Sequence, residues 1–137
     1  MANDLESALS IAASGMRAQG VRLKVVAQNI ANASSTSDRT GGEPYRRKIV
    51  TFANVLDREL DAKLVEIKKI KEDPSQFNLV YDPSHPAAND KGFVQMPNVN
   101  ALVEMMDMRE AQRSYEANLN MIEASKRLMS QTIGLLR

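Results

Sequence analysis

Residues 29–48 read NIANASSTSDRTGGEPYRRK. Two asparagines, a run of small hydroxyl and acidic residues, and then Gly41, Gly42 and Pro44 interrupt a chain that is helical in pattern before them. Ser, Asn and Asp side chains compete with a helix for its own backbone groups, and Gly and Pro punctuate it. A helix therefore ends near Asn32, which fits a left-handed C-terminal cap, and another kind of structure begins at Tyr45. At the opposite end, Asn3 and Glu6 have the spacing of a capping box.

Working outward from this break, a seam precedes it and a longer one follows. Leu5, Leu9, Ala12, Met16, Gln19, Leu23, Val26 and Ile30 alternate by four and three, apolar but for Gln19. Ala101, Met105, Met108, Gln112, Tyr115, Leu119, Ile122, Lys126, Met129, Ile133 and Leu136 do the same, apolar but for Gln112 and Lys126. Pro97 with Asn98 or Asn100 marks the start of this second helix. Residues 33–97 gather prolines and glycines and carry four β-like runs, YRRKIVTF, AKLVEIKKI, FNLVY and GFVQM. The expected fold is mainly α: long N- and C-terminal helices, in residues 1–32 and 98–137, form an antiparallel coiled coil, and residues 33–97 form a small β-rich insert.

The helix lengths predict shape. At about 1.5 Å per residue the first helix is about 42 Å long and the last about 55 Å. A compact globule of this chain length is roughly 37 Å across, so an elongated molecule is expected. Both helices also carry more apolar surface than one partner covers. Ile11, Ala18 and Val25 make a second stripe on the first helix, whose flanks are kept small by Ala8, Ala13, Gly15, Gly20 and Ala27. Met121, Leu128 and Leu135 make a second stripe on the last. A helix that is apolar or small nearly all round is buried on several sides, by other chains or by a larger core. Gly15 and Gly20 each cost about 1 kcal/mol relative to Ala, so the first helix is weak alone and is expected to order on assembly.

Composition excludes several function classes. With 137 residues, 43% apolar and 26% charged, the chain has the makings of a folded core rather than of a disordered tail. A net charge of +1 predicts no attraction to nucleic acid or to an anionic membrane, and no apolar run approaches the length of a membrane span. Asp4 and Glu6 sit where a secretory signal is basic, which predicts either the cytosol or export by another route. There is no cysteine, hence no disulfide and no thiolate chemistry.

Chemistry-bearing residues are few. His85 lies between Asp82 and Asp90 in DPSHPAAND, and a histidine near carboxylates is the raw material of acid–base catalysis; flanked by two prolines, it reads as an exposed loop. Glu104, Asp107 and Glu110 offer carboxylates to a hard cation, yet acidic residues near a helix start are already favoured by the helix dipole. Tyr45, Arg46, Arg47 and Lys48 set three cations beside an aromatic, which suits phosphate, but Asp57, Glu59 and Asp61 follow closely and nucleic acid is not the expected partner. Met105, Met106, Met108, Met121 and Met129 are flexible side chains that pack ordinarily and also adapt to non-identical neighbours. No phosphate loop, HExxH or CxxC pattern occurs. The sequence predicts no enzyme, no metal and no cofactor.

Four stretches carry a resemblance: IAASGMRAQGVRLKVVAQNIANAS, PYRRKIVTF, VYDPSHPAANDKGFVQMPNVN and EMMDMREAQRSYEANLNMIEASKRLM. In this order, and in so short a chain, they resemble the bacterial flagellar rod and hook family of axial proteins, and its proximal-rod members in particular, over nearly the whole chain. The NIAN helix end is shared across the family, whereas GFVQMPNVN with SYEAN is the more specific combination. SSTSDRTGGEPYRR is longer than the short T-x-G-aromatic turn of hook and distal-rod relatives, as in the proximal member.

The resemblance implies a structural subunit of the proximal rod, which joins other axial proteins into a drive shaft that transmits torque around the export channel. Implied partners are neighbouring proximal and distal rod subunits, the inner-membrane MS ring with its rod-base adaptor, and the flagellar type III export apparatus, with no nucleic acid and no membrane span. The implied location is the periplasmic rod of the basal body, reached without a cleaved signal. The terminal helices would form the inner layer and residues 33–97 the outer one. The residues expected to pack subunits are Leu5, Leu9, Met16, Leu23, Val26, Asn29, Ile30, Asn32, Tyr45, Pro97, Asn98, Met105, Met108, Tyr115, Glu116, Asn118, Leu119, Ile122 and Met129. Residues 34–44 are expected to order between subunits. A helical-hairpin adaptor or secretion chaperone in the cytosol is the alternative with the same amphipathic seams.

Overall fold

A computed structural model describes residues 2–135, with side chains from Asp4 onward. In chain order the elements are α1 (Ala2–Ala31), β1 (Lys48–Asp57), β2 (Ala62–Glu72), β3 (Asn78–Tyr81), β4 (Phe93–Met96) and α2 (Ala101–Leu135). The side chain of Asn3, invoked for a capping box, and seam residue Leu136 lie outside the described residues.

α1 ends where the Asn pair predicts, by a different device. The Asn32 side chain donates from Nδ2 to the Gln28 carbonyl at 2.8 Å and accepts from Ser35 Oγ at 3.1 Å. Among the described residues, Asp61 is the one non-glycine with positive φ, so Asn32 is not a left-handed cap; its short amide folds back on the last turn instead. α2 is started by Asn100, whose Oδ1 accepts the Leu102 and Val103 amides at 3.1 and 3.3 Å.

All four β-like runs form strands. β1 and β2 make one two-stranded sheet and β3 and β4 another. Between β1 and β2, Asp57 Oδ1 accepts the Glu59 and Leu60 amides at 3.0 and 3.3 Å, and Asp61 takes φ +45°. β3 and β4 are antiparallel in the register Asn78↔Met96, Leu79↔Gln95, Val80↔Val94, Tyr81↔Phe93, with the Tyr81 and Phe93 rings edge to face at 5.3 Å. Gly92 precedes β4 at φ +81°, where a Cβ would stand 2.9 Å from the Tyr81 ring.

The chain forms two compact units. The first comprises Met1–Leu23, Thr51–Lys69 and Arg109–Arg137. Here α1 lies between β2 and α2: Ser14 Oγ accepts the Val65 amide at 3.1 Å, Ser7 Oγ donates to the Leu60 carbonyl at 3.2 Å, and Arg22 pairs with Glu110 at 3.5 Å. Its buried residues, Ala12, Ser14, Ala18, Ala62, Ala111 and Ser125, are all small. Small side chains let backbones come close, and a Cβ on Gly15 would stand only 2.8 Å from Asn118 Nδ2. The second unit comprises Lys24–Val50 and Ile70–Met108, with Val25, Val26, Asn29, Ala87, Val94, Pro97 and Glu104 buried.

The expectation of a mainly α coiled coil is overturned. The helices hold 30 and 35 residues and flank four strands of 10, 11, 4 and 4, so the chain is a mixed α and β protein. The helices run antiparallel within the first unit, Gly15 meeting Asn118 and Arg22 meeting Glu110, but only part of the apolar seam, Met16, Tyr115 and Ile122 among it, lies between them. α2 buries Glu104, Ala111 and Ser125 and leaves Met105, Leu119 and Met129 at 48%, 39% and 38% exposure. A seam of large side chains would hold the helices apart; a stripe of Ala, Ser and Gly draws them together, and the periodicity accommodates either.

Candidate assembly site

A polar knot ties four chain segments together inside the second unit. Asn29 comes from the last turn of α1, Lys48 from the start of β1, Asp73 from just past β2 and Glu104 from the first turn of α2. The Asn29 amide donates from Nδ2 to the Lys48 carbonyl at 2.8 Å and to Glu104 Oε2 at 3.0 Å. Its Oδ1 accepts the Lys48 amide and the Tyr45 hydroxyl, each at 2.9 Å. The side chain thus mimics a strand partner for Lys48 and uses its full hydrogen-bonding capacity, as a buried amide must.

Arg47 holds the acidic side of the knot. Its Nε donates to Glu104 Oε1, its guanidinium reaches Asp73 Oδ2 at 3.3 Å, and its amide donates to Asn98 Oδ1 at 2.8 Å. Burial alone would weaken the hold on the Arg47 proton, but the hydrogen bonds and charges of Glu104 and Asp73 outweigh it and the guanidinium is held more firmly protonated. The Asp73 carboxyl is held below the usual carboxylate range, first by the Ser75 amide donating at 2.9 Å and also by Arg47. Burial, then the nearby charges of Glu104 and Glu72, push the Tyr45 hydroxyl upward. Asn98 Nδ2 completes the knot, donating to the Asp73 carbonyl at 3.1 Å and to Ser75 Oγ at 2.8 Å.

The residues expected to pack subunits divide by this geometry. Asn29, Tyr45 and Asn98 have polar groups engaged within the chain, Asn32 caps α1, and Pro97 and Val26 are buried. Leu5, Leu9, Met16, Leu23, Ile30, Met108, Tyr115, Asn118 and Ile122 are half-buried. Met105, Glu116, Leu119 and Met129 are exposed. An open groove of about 610 Å³ between α1 and α2 in the first unit, lined by Ala13, Met16, Arg17, Gly20, Tyr115 and Ile122, places Tyr115 and Ile122 together. Sequence reading passed over Arg47, Asp73 and Ser14 as structural anchors and weighed Glu104 as a cation ligand or as an acid favoured by the helix dipole. A charge four residues after Asn100, in a helix otherwise led by Leu102, Val103 and Met105, is the signal that could have found Glu104.

The remaining chemical candidates have local partners. His85 Nδ1 accepts the Ala87 amide at 3.0 Å, and Asp82, drawn down by the Ser84 hydroxyl, closes the same turn. Arg46 lies 4.2 Å over the Phe77 ring and donates to the Asp73 and Ser75 carbonyls. Residues 34–44 dock on that turn, with the Gly41 amide donating to the Ala87 carbonyl at 3.2 Å and Thr40 Oγ1 to the Pro86 carbonyl at 3.3 Å. Among the described residues no three His, Cys, Asp or Glu are grouped to hold a metal, and no helix is long and apolar enough to cross a membrane.

Comparison with known proteins gives the family of the chain. Residues 9–37 match the family of flagella basal body rod proteins, and residues 90–135 match the C-terminal family of flagellar basal body rod FlgEFG proteins. The chain is 50% identical to the flagellar basal-body rod protein FlgC of Agrobacterium fabrum, across 97% of its own length and 96% of that protein. It is 40% identical to the protein of the same name in Bacillus subtilis, across 93% and 95%, and 40% identical to that of Aquifex aeolicus, across 94% and 95%.

Proposed function

We propose, from the premise that this chain belongs to the FlgC family of flagellar basal-body rod proteins, that it acts by packing against neighbouring subunits rather than by chemistry. It is a structural component of the rod, located in the flagellar basal body. One observation carries the packing mechanism: α2 turns outward a run of large apolar side chains, Leu102, Val103, Met106, Met121, Leu128, Ile133 and Leu135, of which Leu102 is 68% and Leu135 89% exposed. Folded chains rarely leave so much apolar surface to water unless a partner covers it.

The finer reading builds on that surface. Head-to-tail contacts that do not close generate a helical filament, and helices stacked along its axis resist bending and twisting, so torque passes through packing. We place the terminal helices, residues 1–32 and 98–137, in the inner layer around the export channel and residues 33–97 outside. The partners are other proximal and distal rod subunits, the MS ring with its rod-base adaptor, and the type III apparatus that exports the chain without a cleaved signal. The exposed and half-buried members of the packing set, Met105, Leu119, Ile122, Met129 and Tyr115 among them, supply the contacts.

Mass spectrometry of detergent-extracted basal bodies, with imaging of the same particles, tests this. The chain is expected in the rod segment beside the inner-membrane ring. Its recovery only in the soluble fraction of flagellated cells would overturn the reading.

A further inference from the structure

Two stripes of α2 compete to face the rest of the chain. One holds Met105, Gln112, Leu119 and Lys126; the other holds Glu104, Ala111, Asn118 and Ser125; Met108, Tyr115 and Ile122 belong to both. At 3.6 residues per turn the two are rotated by ~60° about the helix axis. Burying Met and Leu removes more apolar surface from water than burying Ala and Ser, so the hydrophobic effect alone favours the first stripe. The chain adopts the second: Glu104, Ala111 and Ser125 are 1%, 0% and 3% exposed, while Met105 and Leu119 face water.

Beside the close approach of Gly15 to Asn118, the Glu104 carboxylate opposes the apolar choice. Oε1 takes the Arg47 Nε–H and Oε2 the Asn29 Nδ2–H at 3.0 Å. Both partners are fixed independently of α2, Asn29 on the Lys48 backbone and Arg47 on Asp73. Turning α2 by ~60° would take the carboxylate from both, leaving the part-buried guanidinium with Asp73 alone and the buried Asn29 amide one acceptor short, and would pull the buried Glu104 charge away from its partners, which is costly where water cannot replace them. We infer that Glu104 is a positioning residue: held by Asn29 and Arg47, it sets the rotation of α2 so that the more apolar stripe points away from its own chain. That this stripe then serves subunit packing rests on the rod reading above; the rotation itself does not.

The chain has no cysteine, so a single introduced thiol reports the rotation cleanly. L119C and S125C would be labelled with a maleimide in the otherwise unaltered chain and again with Glu104→Leu, with helicity followed by circular dichroism. The unaltered chain should label at position 119 faster than at 125 by about tenfold or more, the protection expected of a packed helix face. With Glu104→Leu the order should reverse, and Glu104→Gln, which keeps an acceptor for Arg47, should restore it. If Glu104→Leu loses helicity, the pairing with Arg47→Met removes the stranded guanidinium and supplies the same reading. A helical protein whose labelling order is unchanged would overturn the positioning role. A reversed order with normal incorporation into the rod would instead leave the rotation standing and sink the use of the outward stripe in packing.

Discussion

At the scale of the residue, this chain is held by a few polar side chains whose partners lie far away in sequence. Asn29 is the clearest, since its amide answers groups on Tyr45, Lys48 and Glu104 at once. Asn29→Ala should destabilise the chain by on the order of 3 kcal/mol, because it strands several buried groups together; a shift of the urea midpoint measures it. Asp73 brings a pH dependence. Its carboxyl is lowered from 3.8 by the Ser75 amide and by Arg47, so its contribution is complete above that ordinary value and is lost as pH falls through the folded one. Unfolding midpoints followed from about pH 5 down to about pH 2 should therefore drop less steeply in Asp73→Asn than in the parent chain.

At the scale of the element, the two glycines of α1 separate propensity from packing. A Cβ at Gly20 would meet nothing within 4 Å, whereas one at Gly15 would press on Asn118. Gly20→Ala should raise stability by about 0.5–1 kcal/mol through helix propensity alone. Gly15→Leu should lower the melting temperature, because its side chain must displace Asn118 and push α2 away from α1. Equal effects of the two substitutions would mean that the close approach at Gly15 contributes nothing. The short β3–β4 pair depends on its turn in a similar way, with Gly92 at positive φ beneath the Tyr81 ring.

At the scale of the whole molecule, folding and assembly draw on different sides of α2, and substitutions should tell them apart. Ile122 is half-buried beside Met16 and Tyr115, so Ile122→Asp should unfold or loosen the isolated chain. Leu119 is 39% exposed, so Leu119→Asp should leave the isolated chain folded yet block its incorporation into the rod and abolish motility. Circular dichroism on the purified chains and a swimming assay on the corresponding cells read both halves. Normal swimming with Leu119→Asp would remove that position from the packing surface.

The sequence by itself determined the order and kind of the elements: a long helix ending at Asn32, four strands, a re-entry at Pro97 and Asn100 and a second long helix. Those features are local, written in spacing, in Asn and Pro, and in β-branched runs, and local physics suffices to read them. Only the tertiary structure decided which side of each helix faces inward. Periodicity gives the interval between like residues but not the phase of the helix, and on α2 an apolar stripe and a small polar one keep the same interval. The phase was settled by contacts that are distant in the chain, Arg47 and Asn29 on Glu104 and Gly15 against Asn118, and the buried charge of Glu104 with its paired guanidinium outweighed the apolar surface left in water.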